Sequence, residues 1–385
     1  MKYSNQNTNQ VARFIPSICA TCFAVFSFLY LYFFQSSLLA QEQYVFSHGQ
    51  TSYNPLYGAL LCTFILLLVG FIFTHFFAYP LRAKALAWLP SSYLLGVLTC
   101  MHFSTIPSDG GEVKWVAICV IPFVYLLLLF LCFYFPDKFN EKGSLFSFLI
   151  SNSFILIASF LLTIFIGNTG KLLHAELQMA ALQYEGKYSE SLLIGKDLPP
   201  TRNLTGMRVN ALMHIGDLGG QLFQYPICIS SDSLLPSLSD TSMVYGNGKE
   251  TYRMLKAVPY KSGFKSVVSF LEAIVQMDTL NIHKERVELL LCAYLIDKDL
   301  NKFDALFSMH YPKDSVNIPL HFREAIQLKQ CVFPTDDDKL EDTELKDNFT
   351  SFLTLTNNDS LPGQITNKAL NQYRNTYWYY YYYSN

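Results

Sequence analysis

The sequence predicts an all-α protein, in which a bundle of about five transmembrane helices precedes an α-helical solenoid. Two observations carry this prediction. The mean hydropathy of the 385 residues is +0.21 and only 15% of them are charged, whereas soluble domains usually have about 25% charged residues. The charges are also unevenly placed, since residues 1–167 hold 5 acidic and 7 basic side chains and residues 168–385 hold 25 and 21.

Five uncharged apolar segments occupy the N-terminal part of the chain, and each is at least 19 residues long. A helix needs about 20 residues to cross a hydrocarbon core of about 30 Å. The segments are continuously apolar and lack the alternation of a transmembrane β-barrel strand. These features predict a transmembrane domain over residues 1–167, with spans at 14–39, 56–79, 85–103, 115–135 and 145–167.

The distribution of lysine and arginine predicts the orientation of these spans. Six of these residues lie in the N-terminal tail and in the second and fourth connections, whereas the first connection has none and the third has only Lys114. Because basic residues favour the cytoplasmic side, the N-terminus is predicted to be cytoplasmic and residues 168–385 extracytoplasmic. In a diderm bacterium this arrangement corresponds to a multi-pass protein of the cell inner membrane with a periplasmic C-terminal domain.

The polar residues inside the spans give little indication of transport. No span contains Asp, Glu, Lys or Arg, and transporters commonly place ionisable groups along their pathways. Asn152, between Ser151 and Ser153, is predicted to bond a neighbouring helix rather than a substrate. A channel or transporter is therefore the least favoured class of function.

Residues 168–385 are predicted to form a helical-repeat domain. Lys171–Tyr184 is amphipathic at helical spacing and is followed by Gly186, and a similar pattern recurs around Gly216 and, more loosely, Asn301. In each copy a residue suited to the left-handed conformation is expected to end one helix, so that a second helix packs back on it. The pattern is similar to tetratricopeptide repeats, whose spacing is about 34 residues. Such helix pairs stack into a solenoid with a concave binding surface, and further helices are predicted at 266–277, 284–296 and 321–329.

Two stretches interrupt the helical pattern. Residues 226–259 are predicted to form an ordered loop that covers the solenoid, because they combine many serines with apolar residues such as Leu234 and Leu235. Residues 376–383 read TYWYYYYY, and three interpretations stay open: packing as a strand or helix against the last repeat, anchoring at the membrane interface, or stacking on a sugar or peptide ligand. Packing or anchoring is favoured, since a free run of this kind would aggregate.

No catalytic, cofactor-binding or metal-binding residue is predicted. The sequence lacks H-E-x-x-H, G-x-S-x-G, P-loop and G-x-G-x-x-G motifs. A net charge of −2 and a pI near 6.4 give no basic surface for nucleic acid. The expected partners are an unidentified protein or peptide and membrane lipid. Four residues in or beside the repeat helices are candidates for binding the partner, although each could equally be a packing residue: Tyr188, Arg208, Phe223 and Tyr225.

Several short motifs in the C-terminal part resemble those of a known protein family. They are Tyr184-x-Gly186-Lys187-Tyr188, Asn210-Ala211-Leu212, Gly216-Asp217-Leu218, Leu222-Phe223-x-Tyr225 and Thr376-Tyr377-Trp378-Tyr379-Tyr380. On these residues the chain resembles an uncharacterised domain-of-unknown-function family of Bacteroidota, composed of polytopic inner-membrane proteins with a C-terminal tetratricopeptide-like helical domain. The resemblance implies no reaction, cofactor or catalytic residue.

Two functions from different classes are compatible with these patterns. The favoured hypothesis is a membrane-anchored scaffold that binds a protein or peptide partner through its periplasmic helical repeats, because such repeats build binding surfaces and catalytic motifs are missing. The alternative is an envelope enzyme or carrier acting on lipid-linked sugar at the membrane surface, with its site formed by the aromatic tail and residues 226–259. Enzymatic activity is thus the less favoured expectation.

Overall fold

All described secondary structure is helical. The computed structural model describes residues 2–100, 115–134, 145–236, 247–258, 264–277, 283–311, 317–332, 343–356 and 371–384, and no β-strand occurs among them. The all-α prediction is confirmed for this part of the chain. Two compact units can be distinguished, Met1–Leu177 and Gln178–Asn385.

The described part of the N-terminal unit is built mainly from apolar helices. Helix α1 continues at Leu29 into a π-helix, Tyr30–Phe34, and a 3₁₀-helix, Leu81–Trp88, leads into α4. The α-helices are α1 (Lys2–Leu29), α2 (Ser36–Phe46), α3 (Pro55–Phe76), α4 (Leu89–Cys100), α5 (Trp115–Tyr134), α6 (Leu145–Ile166) and α7 (Lys171–Tyr184), which runs on into the second unit.

Three helices among the described residues are long and apolar enough to cross a membrane: Phe14–Phe34, Pro55–Phe76 and Leu145–Ile166. They correspond to the first, second and fifth predicted spans. The first is shorter than the predicted segment 14–39, because the backbone leaves the helical conformation at Gln35 before α2 begins.

The third and fourth predicted spans are not established as spans. Segment 85–103 starts inside the 3₁₀-helix and continues as α4, which has only 12 residues, and residues 101–103 lie outside the described part. Segment 115–135 contains α5, an uncharged apolar helix of 20 residues, and the side chains at 115–118 and 133 lie outside the described part. The described structure therefore has three candidate spans where the sequence predicts five.

Helix α1 and the segment that ends in α4 run in the same direction. The ring of Phe23 stacks on Trp88 with 5.2 Å between centroids. Further along both segments, the hydroxyls of Tyr30 and Thr99 lie 3.4 Å apart. Because the contact partners advance together along the two segments, the segments are parallel.

Helix α6 also runs parallel to that segment. The backbone N–H of Ala85 donates to the side-chain oxygen of Asn152 at 2.8 Å, and one turn after the start of α4 the hydroxyl of Thr163 donates to the carbonyl of Ser92 at 2.9 Å. Both partners again advance together. Helices α1, α4 and α6 thus share one direction, so the start of α1 and the end of α6 lie at opposite ends of this unit.

Asn152 bonds a neighbouring segment, as its sequence context predicts. Its side chain is buried, accepts the N–H of Ala85, and donates to the carbonyls of Leu81 at 2.9 Å and Phe148 at 2.8 Å. The bonds to Ala85 and Leu81 are made to backbone groups of the 3₁₀-helix on either side of Ala83, where its helical conformation is interrupted. Asn152 therefore fixes the entry of this segment against α6.

Replacing Asn152 with leucine is expected to lower the free energy of unfolding of the N-terminal unit by about 1–3 kcal/mol, since the Ala85 N–H would stay buried without an acceptor. Ser159→Ala is the matched control on the same helix. Its hydroxyl bonds mainly the Leu156 carbonyl of its own helix, and we expect a loss of at most about 0.6 kcal/mol. Thermal unfolding in detergent micelles measures both, and equal losses would contradict the role given to Asn152.

The C-terminal unit has a core of consecutive helices, in which each of α12 to α16 packs against the next. Every residue from Arg286 to Ile296 in α13 is buried, which places this helix at the centre of the core. The helices that follow α7 are α8 (Tyr188–Ser191), α9 (Arg202–Ile215), α10 (Leu218–Gln221), α11 (Asn247–Met254), α12 (Val267–Gln276), α13 (Lys284–Ile296), α14 (Leu300–His310), α15 (Leu320–Val332), α16 (Thr343–Thr356) and α17 (Tyr377–Tyr383).

The predicted repeat breaks are confirmed at two of three positions. Gly186 and Gly216 follow α7 and α9 with φ of 77° and 78°, in the left-handed conformation that glycine adopts without a Cβ penalty. The third prediction was wrong, because Asn301 lies inside α14 and the left-handed residue is Lys298, with φ of 58°. The Asp299 side chain accepts the N–H of Lys302 and so starts α14 one residue before Asn301.

The second helix of the first two expected pairs is short. Helices α8 and α10 have four residues each, whereas a tetratricopeptide-like pair needs two helices of comparable length. The regular repeat predicted over residues 171–226 is therefore not established.

The predicted loop at 226–259 is ordered in part and contains a helix. Leu234 and Leu235 are buried, as expected of a covering segment, and residues 237–246 lie outside the described part. The prediction of a loop was wrong at Asn247–Met254, which forms α11. This helix buries Tyr252, whose hydroxyl donates to the carbonyl of Pro236 at 2.7 Å.

Candidate functional site

A cleft of about 590 Å³ lies within the C-terminal unit. Three segments that are distant in sequence form its walls: residues 196–200, residues 223–229 and residues 374–384. Aromatic, aliphatic and charged side chains share its lining, which consists of Lys196, Asp197, Pro200, Phe223, Gln224, Tyr225, Pro226, Ile227, Ile229, Arg374, Asn375, Tyr379, Tyr380, Tyr383 and Ser384. Its size is that of pockets that hold small ligands or short chain segments, about 300–1,000 Å³.

One wall is the tyrosine-rich C-terminal helix, α17. Thr376 caps its start by accepting the N–H of Tyr379 at 3.2 Å. The hydroxyls of Tyr377 and Tyr380 donate to the carbonyls of Leu295 and Ile296, the last two of α13, at 3.1 and 3.0 Å. Carbonyls at the end of a helix lack N–H partners within the helix, and the Leu295 carbonyl also accepts the N–H of Lys298. Of the three interpretations of the tyrosine tail, the structure therefore adopts packing as a helix.

A buried carboxylate anchors the start of α17. Oε2 of Glu324 accepts the backbone N–H of Tyr377 and lies 2.8 Å from Nδ1 of His321, while the Glu324 carbonyl accepts the indole N–H of Trp378. His321, Glu324, Tyr377 and Trp378 are all buried. A carboxylate that is removed from water needs such donors, so Glu324 and α17 stabilise each other.

Phe223 connects the wall formed by residues 223–229 to the tyrosine wall of the cleft. Its ring centroid lies 4.9 Å from those of Tyr377 and Tyr380, and 5.3 Å from the ring of His321 in an edge-to-face arrangement. Aromatic pairs at these separations are favourable beyond the area they bury. Phe223 therefore serves both as lining and as the packing contact that holds the tail against the rest of the unit.

Arg208 lies beneath the cleft and supports the wall formed by residues 223–229. Its side chain is fully buried, its Nη1 donates to the carbonyl of Pro226, and its Nη2 donates to the carbonyl of Gly195 at 2.7 Å. The guanidinium carbon also lies 5.7 Å from the centre of the Tyr225 ring. Burial lowers the pKa of Arg208, but arginine remains protonated in proteins. The Arg208 guanidinium therefore holds the backbone of the wall in place through these hydrogen bonds.

The charged residues of the lining are exposed. Lys196, Asp197 and Arg374 reach solvent, and the Lys196 ammonium lies 5.5 Å from the centre of the Tyr225 ring. Among the described residues, neither Lys196 nor Arg374 has a carboxylate partner. Burial raises the pKa of the Tyr225 phenol and the nearby Arg208 charge opposes that effect, so the phenol stays protonated near neutral pH and can act as a donor.

The structure brings three of the four predicted binding residues together. Phe223 and Tyr225 line the cleft, and Arg208 lies under it without reaching solvent. Tyr188 lies elsewhere and stacks on His214, with ring centroids 3.9 Å apart and an angle of 8° between planes. Sequence reasoning did not select Lys196, Arg374 or Ile229, which have no local motif, although it singled out the tyrosine tail.

No group of three or more His, Cys, Asp or Glu side chains capable of holding a metal ion is present in the part of the chain that the structure describes. The described arrangement therefore supplies recognition elements: aromatic edges, aliphatic side chains, two unpaired cations and phenolic donors.

Comparison with known protein families gives a match over part of the C-terminal unit. Residues 279–384 match a family of unknown function, DUF6057. This region includes α13 to α17 and so contributes the tyrosine wall and its Glu324 anchor, whereas residues 196–229 lie outside it. No curated protein and no solved structure matches the chain.

Proposed function

We propose that this chain is a membrane-anchored scaffold whose C-terminal helical unit binds a protein or peptide partner in the cleft. The observation that carries the proposal is the lining itself, which combines tyrosine rings, an exposed isoleucine and two exposed cations, Lys196 and Arg374, without a carboxylate partner among the described residues. Tyrosine and arginine are enriched at the energetically dominant positions of protein interfaces. An exposed patch of this composition is typical of a binding surface.

The anchor is the N-terminal unit, with its three candidate spans. In the proposal, segments 85–103 and 115–135 also cross the membrane, which gives five crossings. The parallel arrangement of α1 and α6 supports an odd number, because it separates the start of α1 from the end of α6. Together with the basic residues near the N-terminus and in alternate connections, it supports a cytoplasmic N-terminus and a periplasmic C-terminal unit in a bacterial inner membrane.

The consecutive packing of α12 to α16 supports the helical-repeat part of the proposal. Helices that stack on their neighbours along the chain build extended surfaces for binding, and here α10 also packs against α13 and α15. The match to a family of unknown function over residues 279–384 assigns no reaction.

A second candidate is an envelope enzyme or carrier for lipid-linked sugar, and the exposed rings of the cleft favour it. Tyr383 is 41% exposed and lines the cleft beside Tyr379, and aromatic rings can stack on sugars. We rank it second because Phe223, Tyr225 and Tyr380 are each more than nine-tenths buried, which leaves mainly ring edges in the cleft. Unaltered envelope polysaccharide in a Tyr379→Ala, Tyr383→Ala variant of normal abundance would exclude it.

Site-specific photo-crosslinking tests the scaffold proposal. Benzoylphenylalanine placed at Tyr383 or Ile229, which line the cleft, is expected to give one defined crosslinked species in intact cells. The control is Met309 on α14, which is 78% exposed and lies outside the cleft, and it should not give that species. The same products from all three positions, or none from the cleft, would contradict the proposal.

A further inference from the structure

We infer that the cleft recognises a peptide segment that carries a carboxylate beside an aliphatic side chain. This inference rests on the proposed function, since it names the chemistry of the partner in the same cleft. The charges of the lining, its aliphatic side chains and the packing of its aromatic rings support it.

The charges of the lining favour an anionic ligand. Lys196 and Arg374 are exposed and have no carboxylate partner among the described residues, and Asp197 is the single acidic side chain of the lining. The cleft thus has an excess of positive charge although the whole chain has a net charge of −2. Complementary charge selects partners and accelerates their encounter.

A carboxylate suits these cations in particular. The guanidinium of Arg374 presents parallel N–H groups that bind both oxygens of a carboxylate at once. The ammonium of Lys196 is held near the Tyr225 ring, which limits its freedom before a ligand binds. An amide or a hydroxyl in the same place would gain neither the charge nor the two parallel bonds.

The aliphatic side of the lining favours a peptide over an acidic sugar. Pro200, Ile227 and Ile229 line the cleft, and Ile229 is 49% exposed. An aliphatic side chain of a ligand would remove this surface from water at a gain of about 25 cal/mol per Å². A sugar would instead place hydroxyl groups against it, with the loss of their hydrogen bonds to water.

The rings of the C-terminal helix are turned toward one another more than toward a ligand. Tyr379 and Tyr383 pack together with centroids 4.9 Å apart and an angle of 33°, and Tyr380 is buried against the Ile296 carbonyl. These rings therefore make contacts within the unit, and Pro200, Ile227 and Ile229 line the same cleft. Rings that already pack on one another are less able to stack on a flat sugar ring, which favours a peptide.

The carboxylate can be a side chain or the C-terminus of the partner, and two random heptapeptide libraries distinguish these sources. One library presents the peptides with a free C-terminus and the other presents them with the C-terminus fused to a carrier. Both are selected on the full-length protein purified in detergent. We expect the enriched peptides to carry a carboxylate next to Ile, Leu or Val. If the carboxylate is a side chain, both libraries should yield such peptides, whereas a C-terminal carboxylate should yield them from the first library alone.

The matched variants are K196Q/R374Q and K346Q/R253Q, each of which removes one lysine and one arginine charge from exposed positions. Lys346 and Arg253 lie outside the cleft. We expect the enriched peptides to bind K196Q/R374Q about tenfold or more weakly, because charge-assisted hydrogen bonds are lost, and to bind K346Q/R253Q as tightly as the unmodified protein.

Three results would overturn the inference. The first is enrichment of peptides without a carboxylate, and the second is equal binding of carboxylate peptides to both variants. Either result would exclude carboxylate recognition by Lys196 and Arg374 but would leave the cleft as a peptide-binding site. The third is binding of an acidic oligosaccharide without enrichment of any peptide, which would exclude a peptide as the ligand. If Tyr383 also gave no crosslink in cells, the proposed scaffold function would fail with it.

Discussion

Replacing Glu324 with alanine is expected to release the tyrosine helix, Tyr377–Tyr383, and to lower the free energy of unfolding of the C-terminal unit by about 3–5 kcal/mol. The magnitude follows from two buried groups that both lose their hydrogen-bond partner, at about 1–3 kcal/mol each. The buried Nδ1 of His321 and the N–H of Tyr377 would both lose their 2.8 Å partner at Oε2. Removing it leaves two polar groups unsatisfied in the core.

Glu324→Gln is the control for this prediction. Because both partners bond the same oxygen, Oε2, a glutamine carbonyl can replace it, and we expect a loss of about 1 kcal/mol. Thermal unfolding of the full chain in detergent gives the stability, and chymotrypsin cleavage within the tail reports release of the helix. Alanine and glutamine variants with the same stability and the same cleavage rate would show that Glu324 does not anchor the helix.

Replacing Arg208 with alanine is expected to lower the free energy of unfolding of the same unit by about 3–5 kcal/mol and to abolish binding in the cleft. Each hydrogen bond from a charged donor contributes about 1.5–3 kcal/mol, and Arg208 makes two, to the carbonyls of Pro226 and Gly195. These carbonyls would be left without donors, and a cavity would open under Tyr225. The wall would then no longer hold its shape.

Two further variants separate this effect from a general loss of side-chain contacts. Arg208→Lys keeps the charge but cannot reach both carbonyls with a rigid fork, so we expect an intermediate loss. Tyr188→Ala removes a stacked but half-buried ring outside the cleft and should cost about 1 kcal/mol without affecting binding. Urea unfolding measures all three, and an Arg208→Ala variant as stable as Tyr188→Ala would contradict the assigned role.

The parts of the fold that depend on local sequence could be predicted. Lys171–Tyr184 is helical over the predicted residues, because its amphipathic pattern and the following Gly186 define both the buried face and the end. The helix predicted at 266–277 is Val267–Gln276, which starts where Ser266 and Ser269 cap each other.

The elements that depend on distant contacts could not be predicted. The segment 81–88 is a 3₁₀-helix because Asn152, far away in sequence, satisfies its backbone groups. Helix Asn247–Met254 lies in a stretch with few apolar residues and is stabilised by burial of Tyr252 under Pro236. In both places tertiary contacts outweigh local preference.

The same distinction applies to the cleft. Phe223 and Tyr225 could be selected because they follow a repeat-like helix, and both line the cleft. Lys196 and Arg374 could not, since they line one cleft only after the tyrosine helix packs beside residues 223–229. Arg208 was selected as a candidate for binding the partner, but its full burial makes it a support for the wall instead of a contact for the partner.

The most direct test asks whether the cleft and the N-terminus lie on opposite sides of the membrane. It uses two reporter fusions after residue 385, one to alkaline phosphatase and one to green fluorescent protein. Five crossings predict active phosphatase and no fluorescence, because phosphatase folds only outside the cytoplasm and green fluorescent protein exported unfolded stays dark. Bright fluorescence with inactive phosphatase would place the cleft in the cytoplasm, require an even number of crossings, and contradict both the charge-based orientation and a periplasmic partner.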